Sequence, residues 1–139
     1  MDNVAMLQRI WAPLERGESG DMQPFFDSLD DAVVFEASVG ELRGKPAVMH
    51  YFTHAGELVD ARPFERPLEY LGDGDRVVIL GTETFVVKET GMTAHADWAW
   101  VHDIRNGKVT RIVSIQDLSA VAETIREAIA RAQRLETAA

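Results

Sequence analysis

The hydrophobic positions in the first half of the chain recur mainly at the three- and four-residue spacing of α-helices. A first amphipathic helix is predicted over residues 4–14, and Gly17 ends it. A second, short helix is predicted over residues 25–29, with Asp21 as its cap and the acidic pair 30–31 at its end. The N-terminal region is therefore predicted to be largely helical.

A strand and a third helix follow. Residues 32–38 are rich in Val and Phe and predict a strand, and residues 39–44 predict a loop. Pro46 stands where the first turn of a helix tolerates a missing N–H group. The buried stripe of this third helix is predicted to consist of Val48, Tyr51, Phe52, Ala55 and Leu58, and Arg62-Pro63 is predicted to break the helix.

From residue 64 the pattern changes from helical to alternating. Four strands are predicted, over residues 64–71, 76–88, 93–105 and 108–116. The dipeptide Asn106-Gly107 is a strong signal for a two-residue hairpin turn, so an antiparallel meander is expected.

A closing amphipathic helix is predicted from Leu118 to Ala132, with fraying over residues 136–139. Helices, then a curved antiparallel sheet, then one helix predict an α+β fold. The length of 139 residues predicts a single domain over residues 1–139.

The composition excludes several classes of binding partner and of chemistry. The formal net charge of -9, without a Lys/Arg cluster, argues against nucleic acid and against anionic membranes. The absence of cysteine excludes disulfides and thiolate chemistry. The N-terminus lacks the pattern of a secretory signal, and no apolar run is long enough to span a bilayer, so a cytoplasmic location is predicted.

The strand over residues 93–105 carries the most distinctive pattern. Alternation places Trp98, Trp100 and His102 on one face, and His95 and Asp97 on the other. Two tryptophans on one face need a large apolar space. That space is either ordinary core or the wall of a ligand pocket.

Four landmarks resemble the nuclear transport factor 2-like superfamily, in particular its SnoaL-like branch. They are Asp-Asp-Ala-Val-Val at 30–34, Arg-Gly-Lys-Pro-Ala-Val-Met-His-Tyr-Phe at 43–52, Gly-Asp-Arg-Val-Val-Ile at 74–79 and Arg-Asn-Gly-Lys-Val-Thr-Arg-Ile at 105–112. The resemblance implies a cone-shaped fold, in which a curved mixed or antiparallel sheet wraps over the N-terminal helices and a C-terminal helix closes the cone. It also implies a pocket between the sheet and the helices.

The resemblance further implies which side chains face that pocket, and strand alternation independently groups them by face. The implied pocket residues are Val34, Glu36, Gly81, Glu83, Phe85, Trp98, Trp100, His102, Ser114 and Gln116.

Enzymes of the superfamily carry polar catalytic residues in the pocket, and this chain has other residues at most of those positions. Where epoxide-hydrolase-like members have Arg, Asp and Asp, the chain has Gly81, Glu83 and Ser114. Where ketosteroid isomerases have a Tyr on the first helix, it has Ile10 and Trp11. The resemblance therefore implies the fold better than a named reaction.

Glu83 and Glu36 are the predicted catalytic residues. In an apolar cavity the charged form of a carboxyl group is disfavoured, its pKa rises, and it becomes suited to acid/base catalysis. The alternative is that both carboxylates pair with Arg or backbone groups and only support the fold.

Substrate binding is predicted for Trp98, Trp100, Ser114, Gln116, Phe85, Val34 and His102. The two tryptophans would stack on a flat ligand, while Ser114 and Gln116 would donate hydrogen bonds to an oxygen on it. The alternative for the tryptophans is plain core filling. His102 is expected at the solvated rim because it lies near the Asn106-Gly107 turn.

Three further positions receive structural interpretations. His50 and His54 have the i, i+4 spacing of a metal pair but are expected on a solvated helix face, so no metal is predicted. Asp117 is expected to cap the last helix.

Two functions remain open from the sequence. One is a cofactor-free isomerase, cyclase or dehydratase acting on a hydrophobic cyclic substrate, and the other is a non-catalytic binding module.

The outer face of the sheet carries apolar residues, which predict a sheet-to-sheet homodimer. These residues are Val78, Leu80, Val86, Ala99, Val101, Val113 and Ile115.

Overall fold

The computed structural model describes residues 2–18, 20–62 and 64–136. The helices are α1 (Asn3–Glu15), α2 (Gln23–Ser28), α3 (Lys45–Leu58) and α4 (Ala122–Gln133), and the 3-10 helix Ser119–Val121 precedes α4. The strands are β1 (Leu29–Ala37), β2 (Gly40–Arg43), β3 (Val59–Arg62), β4 (Glu69–Asp73), β5 (Arg76–Val87), β6 (Thr93–Arg105) and β7 (Lys108–Gln116).

These strands form a seven-stranded sheet in the order β2-β1-β7-β6-β5-β3, with β4 also paired to β5. The pairing of β1 with β7 is parallel, and the other pairings are antiparallel. The curved sheet wraps over α1, α2 and α3, and α4 packs against α3 and β2 at one end. The predicted α+β cone with a mixed sheet is confirmed.

Local chemistry sets where the helices begin. The Asp2 side chain accepts hydrogen bonds from the backbone N–H groups of Val4 (3.0 Å) and Ala5 (3.4 Å), which have no partner within the helix. Gly44, with φ 94°, makes the turn into α3, and Pro46 follows in the first helical turn. These residues fix where α1 and α3 begin.

The core lies between the inner face of the sheet and the helices. Leu7, Phe25 and Val48 come from the three N-terminal helices, and Val77 and Ile112 come from the sheet; each is at most 1% exposed. In the parts of the chain that the structure describes, no helix is long and apolar enough to cross a membrane.

Several predicted boundaries are wrong. The acidic pair Asp30-Asp31 lies within β1, which begins at Leu29, instead of ending a helix, and the predicted loop at 39–44 contains β2. The strand predicted at 64–71 corresponds to β4, which begins later, at Glu69. The strand β3, which follows α3 directly, was not predicted from the sequence. Short strands such as β2 and β3 have too few residues to show an alternating pattern. Pro63 and residues 137–139 lie outside the described residues.

The expectation that His102 lies at a solvated rim is wrong. His102 is 0% exposed, and Ile104, two residues nearer the turn, is 2% exposed, so this end of the strand is covered. Nδ1 lies 3.1 Å from the Val77 carbonyl oxygen and must therefore donate to it. Nε2 has no hydrogen-bond partner among the described residues. Burial lowers the pKa of His102 to about 4, so the ring is neutral at pH 7.

This depressed pKa predicts a loss of stability in acid. The unfolded chain binds a proton at His102 below about pH 6.5, whereas the folded protein resists it down to about pH 4, so the free energy of unfolding falls as the pH drops through that window. The protonation of His102 lowers the free energy of unfolding by about 3 kcal/mol across this window. Urea denaturation at pH 4 and 7 measures it. His102→Asn, which keeps a donor for Val77, and His102→Phe should both lose this share of the pH dependence. Unchanged pH dependence in both variants would contradict the assignment.

Candidate functional site

A cavity of about 570 Å³ lies between the inner face of the sheet and the helices. Its walls are dominated by aromatic rings, with a few polar groups among them. The aromatic lining residues are Trp11, Phe35, Tyr51, Phe52, Phe64, Phe85, Trp98 and Trp100. Such a mainly apolar cavity with a few placed polar groups is typical of a small-molecule site.

Trp100 of β6 fixes one wall of the cavity. Its ring lies 6.0 Å from that of Trp11, 5.8 Å from that of Phe35 and 5.7 Å from that of Phe52, measured between centroids. Its indole Nε1 donates a 3.1 Å hydrogen bond to Ser114 Oγ on the neighbouring strand. Trp100 therefore both packs into the core and lines the cavity, while its contact with a ligand stays a prediction.

Glu83 is the buried carboxyl group of the cavity. It projects from β5, and its Oε1 accepts a 2.9 Å hydrogen bond from Gln116 Nε2 of β7. Burial raises the pKa of Glu83 to about 7, although the bond from Gln116 acts in the opposite direction. The group is therefore present both as acid and as carboxylate near neutral pH.

Tyr51 and Phe52 of α3 were expected to be core residues and were missed as site residues. Both line the cavity. Burial raises the pKa of the Tyr51 hydroxyl, and the negative charge of Glu83 raises it further, so the phenol stays protonated. The sequence places both residues on the buried stripe of α3 but does not show which part of the sheet this stripe meets.

The predicted positions of Glu36 and Val34 are wrong. Glu36 lies on the outer face of the sheet, where its two carboxylate oxygens accept bonds of 2.8 and 2.9 Å from Arg111 Nη2. Neither Glu36 nor Val34 lines the cavity. The inner face of β1 carries Phe35 and Ala37 instead. A shift of one residue exchanges the two faces of a strand.

The structure brings six of the nine predicted site residues together around the cavity, and these are Glu83, Phe85, Trp98, Trp100, Ser114 and Gln116. Glu36 and Val34 face outward, and His102 is buried in the core beside Trp100, at 6.0 Å between ring centroids. The remaining six residues come from three adjacent strands, β5, β6 and β7.

The histidine pair on α3 is engaged by neighbouring side chains. The rings of His50 and His54 stack at 5.9 Å, and His54 Nε2 lies 2.9 Å from Arg131 Nη1. No group of three or more His, Cys, Asp or Glu side chains suited to a metal ion occurs within the described ranges. Asp117 accepts a bond of 2.9 Å from the Ser119 backbone N–H. The expectation that it caps the last helix is wrong, because α4 begins at Ala122 with Val121 at its N-cap and has no side-chain cap hydrogen bond.

Comparison with known proteins gives a family and a fold. The model of the SnoaL-like domain family matches residues 10–112. No curated protein matches the chain significantly. The solved structures with similar folds include an NTF2-like protein from Burkholderia xenovorans, with 26% identity, coverage of 94% of this chain and 95% of that one, and a TM-score of 0.70.

Two further similar structures have names that describe chemistry. A proposed polyketide cyclase from Xanthomonas campestris is 16% identical, with coverage of 87% and 94% and a TM-score of 0.70. TerC, co-crystallised with polyporic acid, is 23% identical, with coverage of 88% and 97% and a TM-score of 0.66. At these identities the likeness establishes the fold alone.

The burial of Glu83 and its hydrogen bond from Gln116 predict how the Glu83 carboxyl group titrates. Glu83 should titrate near pH 7 in the folded protein, because burial destabilises its charged form. Gln116→Leu should raise this pKa further, since it removes the donor that favours the carboxylate. Carbon-13 NMR of the labelled carboxyl groups measures both values. Titration of Glu83 near the ordinary value of 4.5 would contradict the prediction.

Proposed function

This chain belongs to the SnoaL-like domain family, and we propose that its cavity binds a hydrophobic cyclic small molecule and transfers a proton on it. The observation that carries the proposal is Glu83, a carboxyl group in an aromatic cavity with its pKa raised to about 7. A group with that pKa can both remove and return a proton at neutral pH. The reaction class is cofactor-free isomerisation, cyclisation or dehydration.

For an isomerisation, the Glu83 carboxylate removes a proton from a carbon next to a carbonyl group. The C–H electron pair moves into the carbonyl to give an enolate, and the Glu83 carboxylic acid returns the proton to another carbon of the conjugated system. The protonated Tyr51 hydroxyl, which shares the cavity, donates to the enolate oxygen. No net change in oxidation state is required.

The other cavity residues position the ligand and the base. Trp98 and Trp100 offer ring faces for stacking on a flat substrate. Gln116 holds the carboxyl group of Glu83 in place through the 2.9 Å bond. Ser114 accepts from Trp100 and keeps its own proton for donation to a ligand oxygen. Glu36 has no part in this mechanism because it lies outside the cavity.

Two similar structures support the substrate class. TerC was co-crystallised with polyporic acid, and the Xanthomonas campestris protein is proposed to be a polyketide cyclase. Both names fit a cavity walled by aromatic rings. The cytoplasmic location predicted from the sequence stays a prediction.

The competing proposal is binding without catalysis. It is favoured by one observation, that polar groups of the cavity already bond to one another: Gln116 to Glu83 at 2.9 Å, and Trp100 to Ser114 at 3.1 Å. A site built only to hold an apolar ligand would have its polar groups satisfied in this way.

Native mass spectrometry of the purified protein, followed by turnover assays on the retained molecule, separates the two proposals. Glu83→Gln should keep binding within about threefold and reduce turnover by about 10²-fold or more, because it removes proton transfer and preserves shape. Glu36→Gln is the matched control, with the same chemical change outside the cavity, and should leave turnover unchanged. Binding of the retained molecule with no turnover by the unsubstituted protein would instead support the binding module.

We also propose that two copies associate through the outer sheet face. The apolar side chains there stand in register across strands: Val78 beside Val101 and Val113, and Leu80 beside Ala99 and Ile115. The ion pairs Arg76–Asp103 and Arg111–Glu36, both at 2.8 Å, lie at the margins. An apolar centre with a polar rim is the usual anatomy of a protein interface.

Ile115 is the direct test of this surface, since it is 57% exposed. Ile115→Asp should raise the dimer dissociation constant at least about tenfold, because it places a charge at the centre of an apolar contact. Sedimentation equilibrium measures the constant. Leu135→Asp, at a side chain 45% exposed beyond α4, is the control. A monomeric unsubstituted protein would refute the dimer.

A further inference from the structure

The indole ring of Trp98 lies against a residue of β5 that has no side chain. Gly81 and Trp98 are register partners across the β5–β6 pair. A Cβ atom built on Gly81 would lie 2.4 Å from Trp98 Cζ2, 2.5 Å from Cε2 and 2.8 Å from Nε1. Non-bonded carbon atoms pack at about 3.5–4.0 Å. The ring therefore occupies the space that a side chain at position 81 would need.

This close approach is the structural reason for glycine at this position. Glycine weakens the interior of a strand, because it adds backbone freedom to the unfolded chain and no side chain to pack. Gly81 lies within the regular β5 strand and does not adopt a positive φ, so its backbone conformation is open to any residue. What the position requires is room for Trp98.

Trp98 also forms an end wall of the cavity. Gly81 lies on β5 between the residues that pair with β4 and the residues that pair with β3. The isolated bridge Phe64–Thr82 is formed by the next residue of β5. An outer groove at this edge is lined by Arg66, Glu69 and Leu80, and it reaches Gly81 and Trp98. Because Trp98 lines both the groove and the cavity, its ring stands between them.

We propose that Gly81 and Trp98 together set the size of the ring system that the cavity accepts. The glycine lets the indole lie close against β5, which leaves the end of the cavity open to a ligand. A β-carbon at position 81 displaces the ring by at least about 1 Å, the difference between 2.4 Å and the shortest normal contact. Trp100, with its ring centroid 5.9 Å away, restricts sideways movement, so the indole moves into the cavity.

The inference rests on the proposed function and adds a substrate property to it. A planar ligand long enough to reach the end wall loses space when the indole advances. A shorter ligand that stops before the wall keeps its contacts. Substitution at position 81 therefore changes selectivity for size and does not simply weaken all binding.

Two fluorescent probes of different size test the inference, 1-naphthol with two fused rings and 1-hydroxypyrene with four. In Gly81→Ala the dissociation constant should rise at least about tenfold for 1-hydroxypyrene and less than about threefold for 1-naphthol. Gly72→Ala is the matched control, because a Cβ atom there would also meet a side chain at 2.4 Å, namely Val4 Cγ2, away from the cavity. It should leave the ratio of the two constants unchanged.

Rescue identifies Trp98 as the cause. Phenylalanine lacks the indole atoms that meet the added Cβ atom, so Gly81→Ala combined with Trp98→Phe should restore the ratio. If Gly81→Ala alone does not fold, Trp98→Phe alone still tests the inference, since it should favour 1-hydroxypyrene over 1-naphthol relative to the unsubstituted protein.

Three outcomes would overturn the inference. Equal weakening of both probes in Gly81→Ala, the same change of ratio in Gly72→Ala, or an unchanged ratio in Trp98→Phe would each do so while leaving the proposed function standing. Failure of both probes to bind the unsubstituted protein would refute ring binding in the cavity, and the proposed function would fall with the inference.

Discussion

The contact of the Trp100 ring with its aromatic neighbours is the interaction on which the rest of the structure depends. Trp11 of α1, Phe25 of α2, Phe52 of α3 and Phe35 of β1 all have ring centroids within 6.0 Å of that of Trp100. One side chain of the sheet thus contacts all three N-terminal helices. The position of the helices over the sheet, and so the shape of the cone, follows from packing around this residue.

The same packing explains why the cone contains a cavity. Aromatic rings are rigid plates that prefer tilted and edge-on contacts, as the 75° angle between Trp11 and Trp100 illustrates. Aromatic side chains that are held by neighbours on several helices and strands cannot move together to fill the space between them. The space left beside Trp100 is therefore apolar, and its one deeply buried carboxyl group among the described lining residues, Glu83, is kept there by Gln116.

The sequence predicted the long elements well, because long elements repeat their pattern often enough to show it. The face of β6 with Trp98 and Trp100 was identified correctly, since the alternative face carries His95 and Asp97. On β1 the pattern is less clear, because apolar residues occur on both faces: the resemblance implied that Val34 faces the cavity, whereas Val33 and Phe35 are the buried residues. That error placed Glu36 in the cavity. Tyr51 was missed because its role depends on where α3 lies against the sheet, which is a tertiary contact.

The parallel pairing of β1 with β7 has a consequence for how the site comes into existence. Phe35 of β1 pairs with Ile112 of β7 across more than half the length of the chain, whereas the pairs β5–β6 and β6–β7 join strands that are next to each other in sequence. Closing a long loop has a large entropic cost, and contacts between distant residues tend to form slowly. The wall that carries Glu83 belongs to the local meander, but Phe35 reaches the cavity only through the distant pairing. A chain that has formed the meander alone has the Glu83 carboxyl group without an enclosed cavity, so any ligand that binds only the enclosed cavity would stabilise the most distant strand pairing.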